Sequence, residues 1–134
     1  FLDKSSDSLS IKVMSFGFKY GVSTESDLVF DVRCLPNPYY IEELRNHTGL
    51  ESCVRDYVMG FEESQVAFDK LTDLIDYLIP MYVHEGKSQL VIAILFTGGK
   101  HRSITFAELM SAHLEEVGYK VQKYHRDITK DKHY

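Results

Sequence analysis

The feature that most constrains the fold is an unbroken apolar run over residues 90–96, Leu-Val-Ile-Ala-Ile-Leu-Phe. This run is too short to cross a membrane, and its length and composition are typical of a strand that is covered on both faces. Strands of this kind occur in parallel sheets, whose neighbouring strands are joined by helices. The run therefore predicts an α/β domain with a central strand over residues 89–96.

Three shorter segments predict further strands. Residues 11–16 alternate apolar and polar side chains, and residues 28–33 are apolar and rich in strand formers. Residues 119–124 come directly after the last predicted helix and form the third segment. Together with the apolar run, these segments predict a sheet of mostly parallel strands.

Apolar residues at near-helical spacing predict two main helices. One covers residues 63–83, where Pro80 is expected to kink or end it, and the other runs from an N-cap at Ser103 to a stop at Gly118. Shorter helical pieces are expected over residues 40–59. The element order predicts a single-domain α/β sandwich, with a linker over 1–10, a ligand-binding domain over 11–128 and a polar tail over 129–134.

Composition narrows the class of protein. The chain has 134 residues, 44% hydrophobic and 26% charged, a balance that excludes a disordered or fibrous protein. Its net charge of −5 argues against nucleic-acid binding through overall charge and leaves a local basic patch as the alternative. Cys34 and Cys53 lack a paired spacing, which predicts reduced thiols in a cytoplasmic protein. Because we find neither a standard metal-ligand motif nor a secretory signal, we predict no metal, no export and no membrane partner.

The segment directly after the apolar run combines a glycine pair with basic and hydroxyl residues. A buried strand ends there and a helix begins at once, so backbone N–H groups, the helix dipole and Arg102 all favour a bound anion. The alternative is a tight strand-to-helix turn with an exposed arginine. The predicted phosphate or anion site consists of Thr97, Gly98, Gly99, Lys100, His101, Arg102 and Ser103.

The spacing of this loop excludes two kinds of catalytic site. A cysteine-dependent phosphatase would need its nucleophile at the position of Phe96, and a phenylalanine offers none. A Walker A motif would need a glycine at a set distance before the Gly-Lys pair and a hydroxyl residue in place of His101. We therefore predict that the loop holds an anion and that the domain has no catalytic residue.

Polar residues also follow two other predicted strands. Asp31 and Arg33 lie at the end of one strand, and His125, Arg126 and Asp127 end the last. Ligands of open α/β sheets bind outside the carboxyl ends of the strands, so these residues are candidates to contact a sugar or a nucleotide. Surface ion pairs without any ligand are the alternative.

Taken together, these segments resemble the C-terminal domain of the RapZ (YvcJ) family. The resemblance covers residues 11–127, and its motifs occur in the same order as in the family. It rests on Ser-Phe-Gly-Phe-Lys-Tyr-Gly (15–21), Val-Phe-Asp-Val-Arg (29–33), Leu-Pro-Asn-Pro (35–38), Thr-Gly-Leu (48–50), Thr-Gly-Gly-Lys-His-Arg-Ser (97–103) and His-Arg-Asp (125–127). The chain departs from the family at Phe96, where many members have cysteine, and at Tyr39, where enteric members have histidine.

The resemblance implies a fold similar to a phosphofructokinase subdomain, self-association, and an N-terminal P-loop domain that binds ATP or GTP in the full-length protein. No cofactor is expected in this domain. Enteric members are RNase adaptors that bind small regulatory RNAs, and their C-terminal domain senses glucosamine-6-phosphate. By the same resemblance, the effector pocket is expected to include Lys19, Tyr20, Asp31, Arg33, Asn37, Tyr39, His125 and Arg126.

Three functions follow as hypotheses. The first is a non-catalytic regulatory module that binds a phosphorylated sugar or amino sugar, or a related anion, and signals to a nucleotide-binding domain or a protein partner, which would link cell-envelope amino-sugar metabolism to regulation. The second is an RNA-binding adaptor domain, and the third is a phosphate-ester hydrolase or phosphotransferase. The residues expected to form an RNA-binding patch are Lys120, Lys123, Arg126, Lys130 and Lys132.

Overall fold

A computed structural model describes residues 9–17, 25–35, 42–44, 46–96 and 102–127 of the chain. The described segments form one four-stranded sheet in which every neighbouring pair of strands is parallel. The strands are β1 (Ser10–Gly17), β2 (Leu28–Asp31), β3 (Gln89–Phe96) and β4 (Lys120–His125). Their order across the sheet is β2-β3-β1-β4, so the apolar strand β3 lies between two others, as the sequence predicts.

Helices cover one face of this sheet. Helices α1 (Ser52–Met59) and α2 (Glu62–His84) lie in the chain between β2 and β3, and α3 (Arg102–Val117) lies between β3 and β4. Both connections move in the same direction across the sheet, so right-handed crossovers place all three helices on the same face. The three helices contact one another, which agrees with this arrangement.

The main core lies between this helical layer and the sheet. Alternate residues of β1 and β3 point into it and are fully buried, as Ile11, Val13, Ile92 and Ile94 show. The intervening residues form a second apolar cluster on the other face, made of Met14, Phe16, Ala93 and Leu95. Strand β3 is therefore apolar throughout because both of its faces are buried.

Most predicted elements are confirmed within one or two residues. Strand β2 ends at Asp31 instead of residue 33, because the chain turns there and the backbone N–H of Arg33 bonds to the Asp31 side chain at 2.9 Å. Pro80 was expected to kink or end α2. It lies inside this helix, which continues to His84, so the second alternative is wrong. Gly118 ends α3 as predicted, with φ of 118° and hydrogen bonds from its N–H to the carbonyls of the last turn.

The predicted N-cap is also wrong. Helix α3 already includes Arg102, so Ser103 lies inside the first turn, and its buried hydroxyl has no hydrogen-bond partner among the described residues.

None of the described helices combines the length and apolar character that a membrane crossing requires.

Candidate anion-binding site

The carboxyl ends of the four strands meet along one edge of the sheet because all four strands run in the same direction. Strands β1 to β4 end at Gly17, Asp31, Phe96 and His125. Helix α3 begins at Arg102, six positions after the end of β3, so its N-terminus belongs to the same edge. We call this region the carboxyl edge.

Among the described cations of the carboxyl edge, Arg102 is the most deeply buried, with 4% of its surface exposed. Its Nη1 donates a hydrogen bond of 2.6 Å to the carbonyl oxygen of Arg33 and a second one to the carbonyl oxygen of Leu35. Its guanidinium carbon lies 3.5 Å from the centre of the Phe96 ring. Phe96 therefore serves as a platform for the arginine through stacking and cation–π attraction, and Arg102 ties the start of α3 to the turn after β2.

Asp31 and Arg33 form an exposed ion pair beside Arg102. The Arg33 Nη2 lies 2.7 Å from the Asp31 Oδ2, and its Nε lies 3.0 Å from both carboxylate oxygens. The hydrogen bonds from Arg33 hold the pKa of Asp31 below its ordinary value of 3.8 despite some desolvation, and the nearby charge of Arg102 acts in the same direction. The carboxylate in turn raises the pKa of Arg33. Both groups are therefore charged over the physiological range.

Arg126 and Asp127 form a second pair at the other side of the carboxyl edge. Asp127 is fully buried, and its Oδ2 accepts a hydrogen bond of 2.9 Å from the backbone N–H of Gly17. The Nη2 of Arg126 lies 2.8 Å from the same oxygen, and its guanidinium lies 5.0 Å from the centre of the Phe16 ring. The backbone N–H of Arg126 also donates to the carbonyl oxygen of Ser15, so this pair locks the end of β4 against β1.

His125 is connected to a serine and a glutamate. Its Nδ1 lies 2.7 Å from the Ser15 Oγ, and its Nε2 lies 2.7 Å from the Glu108 Oε2. The carboxylate can only accept, so Nε2 carries a proton, and in the neutral ring Nδ1 accepts from the serine hydroxyl. Desolvation would raise the pKa of Glu108, but the hydrogen bonds from His125 and from Lys123 outweigh it and hold this pKa below the ordinary 4.5.

This serine–histidine–glutamate chain has the connectivity of a nucleophile, a base and an orienting carboxylate. However, Ser15 is fully buried, and it lies on the face of β1 that packs under the helices. In this arrangement no substrate atom reaches the Ser15 hydroxyl, because it lies between the sheet and the helical layer. We therefore interpret these three hydrogen-bonded residues as a structural connection that holds β1, β4 and α3 together.

The sequence analysis missed Ser15 and Glu108. It named Asp127 as a candidate ligand contact, with a surface ion pair as the alternative, whereas the structure buries this carboxylate completely. The strand register alone brings Ser15 next to His125, because these two residues are partners in the parallel ladder between β1 and β4. Glu108 could have been noticed as a charged residue directly after the inward-facing Ala107 of α3. Its partner depends on how α3 packs against the sheet, which the sequence does not show.

With the geometry established, comparison with known proteins identifies the family. A family model described as the RapZ C-terminal domain matches residues 9–129. The chain belongs to this family. Its relatives include a nucleotide-binding protein of Staphylococcus epidermidis, 55% identical over 128 residues, and one of Clostridium novyi, 54% identical over 123 residues. A nucleotide-binding protein of Finegoldia magna is 56% identical over 119 residues.

The matches cover most of this chain but less than half of each relative. They take in 95%, 92% and 89% of the chain, respectively, and 42% of each of these three proteins. The chain thus corresponds to one domain of longer nucleotide-binding proteins.

The structure brings some of the RapZ-type site residues together and separates others. Asp31, Arg33 and Arg102 form one contiguous group, whereas His125 and Arg126 lie at the opposite end of the strand order. Three strand spacings separate β2 from β4, a distance of about 14 Å between backbones. The backbones of the two groups are therefore separated by two intervening strands. The predicted residues that lie outside the described ones are Lys19, Tyr20, Asn37, Tyr39, Thr97, Gly98, Gly99, Lys100, His101, Lys130 and Lys132.

The described residues of the predicted RNA patch lie in β4 or directly after it, and β4 is an edge strand of the described sheet. Lys120 and Lys123 are exposed, and Lys123 also bonds to the Glu108 Oε1 at 3.1 Å. A groove of about 440 Å³ lies alongside, lined by Lys12, Gln122, Lys123 and Tyr124. The Lys12 Nζ lies 5.0 Å from the centre of the Tyr124 ring.

Proposed function

We propose that this RapZ C-terminal domain is a non-catalytic effector-binding and regulatory module that holds a phosphorylated amino sugar or a related anion at the carboxyl edge. The observation that carries the proposal is the position of Arg102, a buried cation at the start of α3 where the apolar strand β3 has just ended. The first turn of a helix presents unpaired N–H groups and the positive end of the helix dipole, both of which favour a phosphate.

Two further residues of this edge suit such a ligand. The Ser103 hydroxyl is buried in the first turn of α3 and has no hydrogen-bond partner among the described residues, so a phosphate oxygen bound at the start of this helix would supply the partner that it lacks. Asp31 is ionised and half-exposed beside Arg33, so it suits the ammonium group of an amino sugar. We therefore expect the phosphate near Arg102 and Ser103, and the sugar ring toward Asp31.

A thermal-shift screen tests this proposal with phosphate, sulfate, glucosamine-6-phosphate, fructose-6-phosphate and common nucleotides. A ligand at about a hundred times its Kd stabilises the native state by about 2.7 kcal/mol. For a domain of this size, that corresponds to a shift on the order of 10 °C. We expect the largest shift with glucosamine-6-phosphate, and Asp31→Asn should reduce its advantage over fructose-6-phosphate.

The variant Ser103→Ala tests the position of the phosphate. It removes a buried hydroxyl that makes no hydrogen bond with the described residues, so the fold should be retained. Ser111→Ala is its matched control, since Ser111 is a buried serine of the same helix with an equally unpartnered hydroxyl. We expect Ser103→Ala to weaken the anion-dependent shift and Ser111→Ala to leave it unchanged. Equal shifts in the wild type and in both variants would contradict a phosphate at the start of α3.

RNA binding is the second candidate function, and the groove beside β4 favours it. The groove combines two lysines with an exposed tyrosine, and single-stranded RNA is bound by stacking on aromatic rings next to basic side chains. Filter binding at increasing salt tests it with Lys12→Glu, which changes a lysine of the groove, and with Lys70→Glu, which changes an exposed lysine of α2. A steep salt dependence that is weakened by Lys12→Glu alone would support RNA binding. No binding at low salt would exclude it.

We also propose that the whole protein is cytoplasmic, forms homo-oligomers and binds ATP or GTP through a separate domain. The proposal of a separate nucleotide-binding domain is supported by the relatives, which are named nucleotide-binding proteins and of whose length this domain covers 42%. Hydrolase or phosphotransferase activity is the least favoured function, because the serine of the described histidine-linked chain is buried. Release of phosphate from phosphosugars or nucleotides by this domain would overturn that judgement.

A further inference from the structure

Three potential metal ligands lie together where the chain enters α1. They are His47, Glu51 and Cys53, and their ligand atoms all lie within 4.8 Å of one another. Within the described part of the chain, this is the one group of three or more such residues at that spacing. None of the three belongs to the carboxyl-edge site, and their sequence spacing matches no standard metal-binding motif.

The glutamate of this group is held in place by its own turn. The backbone N–H of Thr48 donates to the Glu51 Oε2 at 2.9 Å, and the N–H of Glu51 donates to the Thr48 carbonyl oxygen at 3.0 Å. The His47 Nδ1 lies 2.8 Å from the Glu51 Oε1. Cys53 follows in the first turn of α1, so the backbone already presents all three side chains to one place.

The spacing is close to what a tetrahedral ion requires. Bonds of about 2.0–2.1 Å to nitrogen and oxygen and about 2.3 Å to sulfur place the ligand atoms roughly 3.3–3.6 Å apart at a tetrahedral angle. Movements of about 1 Å by the side chains would therefore complete the site from the observed positions. All three side chains have room for this, since His47 and Glu51 are 44% and 48% exposed and Cys53 is also exposed.

The donor set indicates the class of metal. One imidazole nitrogen, one thiolate sulfur and one carboxylate oxygen are the ligands that Zn²⁺ prefers, whereas Mg²⁺ and Ca²⁺ require mainly oxygen. Three protein ligands leave one coordination position for water or another ligand. We propose that His47, Glu51 and Cys53 bind a divalent transition-metal ion of the zinc class, with one coordination position open to solvent.

Titration of the 134-residue chain with Co²⁺ tests this proposal, because a cobalt–thiolate bond gives a charge-transfer band in the near ultraviolet. We expect this band at one equivalent of Co²⁺, and we expect Zn²⁺ to displace the cobalt and abolish it. Binding should strengthen with rising pH, because the thiol and the imidazole must lose protons to bind. The proposal is overturned if the wild type shows no band, or if Zn²⁺ does not compete.

Variants with matched controls identify the ligands. Cys53→Ser should abolish the thiolate band, whereas Cys34→Ser, which changes the other exposed cysteine, should leave it intact. His47→Ala and Glu51→Gln should each weaken Co²⁺ binding about tenfold or more.

His113→Ala is the control for the histidine, since His113 lies 2.8 Å from the Asp76 carboxylate, in the same kind of pair but without a cysteine in the group. It should leave Co²⁺ binding unchanged. Loss of the band in Cys34→Ser, or equal affinities for the wild type and His47→Ala, would overturn the assignment. Because the changed side chains are exposed, circular dichroism should show that every variant remains folded.

Discussion

The two Arg–Asp pairs of the carboxyl edge combine the same two residue types but have different surroundings. In the pair after β2, Asp31 is 45% exposed and contacts Arg33, whose side chain is 40% exposed. In the pair after β4, Asp127 is fully buried and also accepts the backbone N–H of Gly17. The first pair is open to a ligand, whereas the second connects two strands inside the fold.

This difference shows how one edge can combine a stable framework with an available binding group. An exposed ion pair contributes little to stability because water and salt screen it, so its charges can be exchanged for those of a ligand at low cost. A buried carboxylate that loses its partners is costly, so the Arg126–Asp127 pair is expected to persist whatever binds nearby. Under the proposed function, the β2 side of the edge would recognise the ligand and the β4 side would support the fold.

The largest effect should come from the buried carboxylate. Asp127→Ala leaves Arg126 without its carboxylate and the Gly17 N–H without its acceptor, so we expect the free energy of unfolding to fall by about 3–5 kcal/mol. Urea denaturation measures this loss, and Asp127→Asn, which retains one acceptor oxygen, should lose less. If Asp127→Ala unfolds at the wild-type urea concentration, the pair is not a structural support.

Arg102→Ala should have the next largest effect, and it tests whether the β2 side also has a buried anchor. The change leaves the carbonyl oxygens of Arg33 and Leu35 without this donor and uncovers the Phe96 ring, so we expect a loss of about 2–3 kcal/mol. Anion-dependent stabilisation should disappear at the same time. Calorimetry with and without glucosamine-6-phosphate separates the two effects, and an intact ligand shift would place the anion elsewhere.

A smaller, pH-dependent effect is expected at Glu108. Its pKa is lowered in the folded state, so its contribution to stability is present above pH 4.5 and is lost as the pH falls through the folded-state value. Glu108→Gln should cost about 1 kcal/mol at neutral pH through weaker hydrogen bonds to His125 and Lys123. Denaturation curves at pH 7 and below pH 4 measure this cost, which should shrink at the acidic value. A cost that is the same at both pH values would exclude the ionised carboxylate as its source.

The smallest effect on stability is expected at the exposed pair. Asp31→Ala removes only a solvent-screened interaction with Arg33, so the midpoint of urea denaturation should stay within experimental error. The same variant should bind inorganic phosphate more tightly, because a negative charge next to Arg33 and Arg102 has been removed. Isothermal titration at low salt measures this affinity. A clear loss of stability would show that the two pairs are more alike than their exposure indicates.

Much of the fold could be predicted because single segments carry strong local signals. The apolar run predicted β3 with the bounds that it has in the structure, and Gly118 predicted the end of α3 through its left-handed backbone. The start of α3 was misplaced because a serine in front of an apolar pattern resembles an N-cap whether or not its hydroxyl bonds to the backbone. Pro80 was expected to disturb α2, but the helix continues past it.

The candidate site was less accessible, because its contacts join residues that are distant in the chain. The local pattern indicated Arg102 as part of an anion site, and the structure adds that its Nη1 bonds to backbone carbonyls 67 and 69 residues away. Residues 97–101, which complete the predicted loop, lie outside the described residues, so their role remains a prediction.

The sequence by itself determined the class of fold, the central strand, the family resemblance and the position of the basic segment after that strand. These properties depend on composition, short-range periodicity and residue order, all of which can be read along the chain. Only the tertiary structure decided that Asp127 is buried while Asp31 is exposed, that Ser15 meets His125 and Glu108, and that His47, Glu51 and Cys53 converge. Burial and contact depend on strand order, register and helix packing, and these are set by the whole chain.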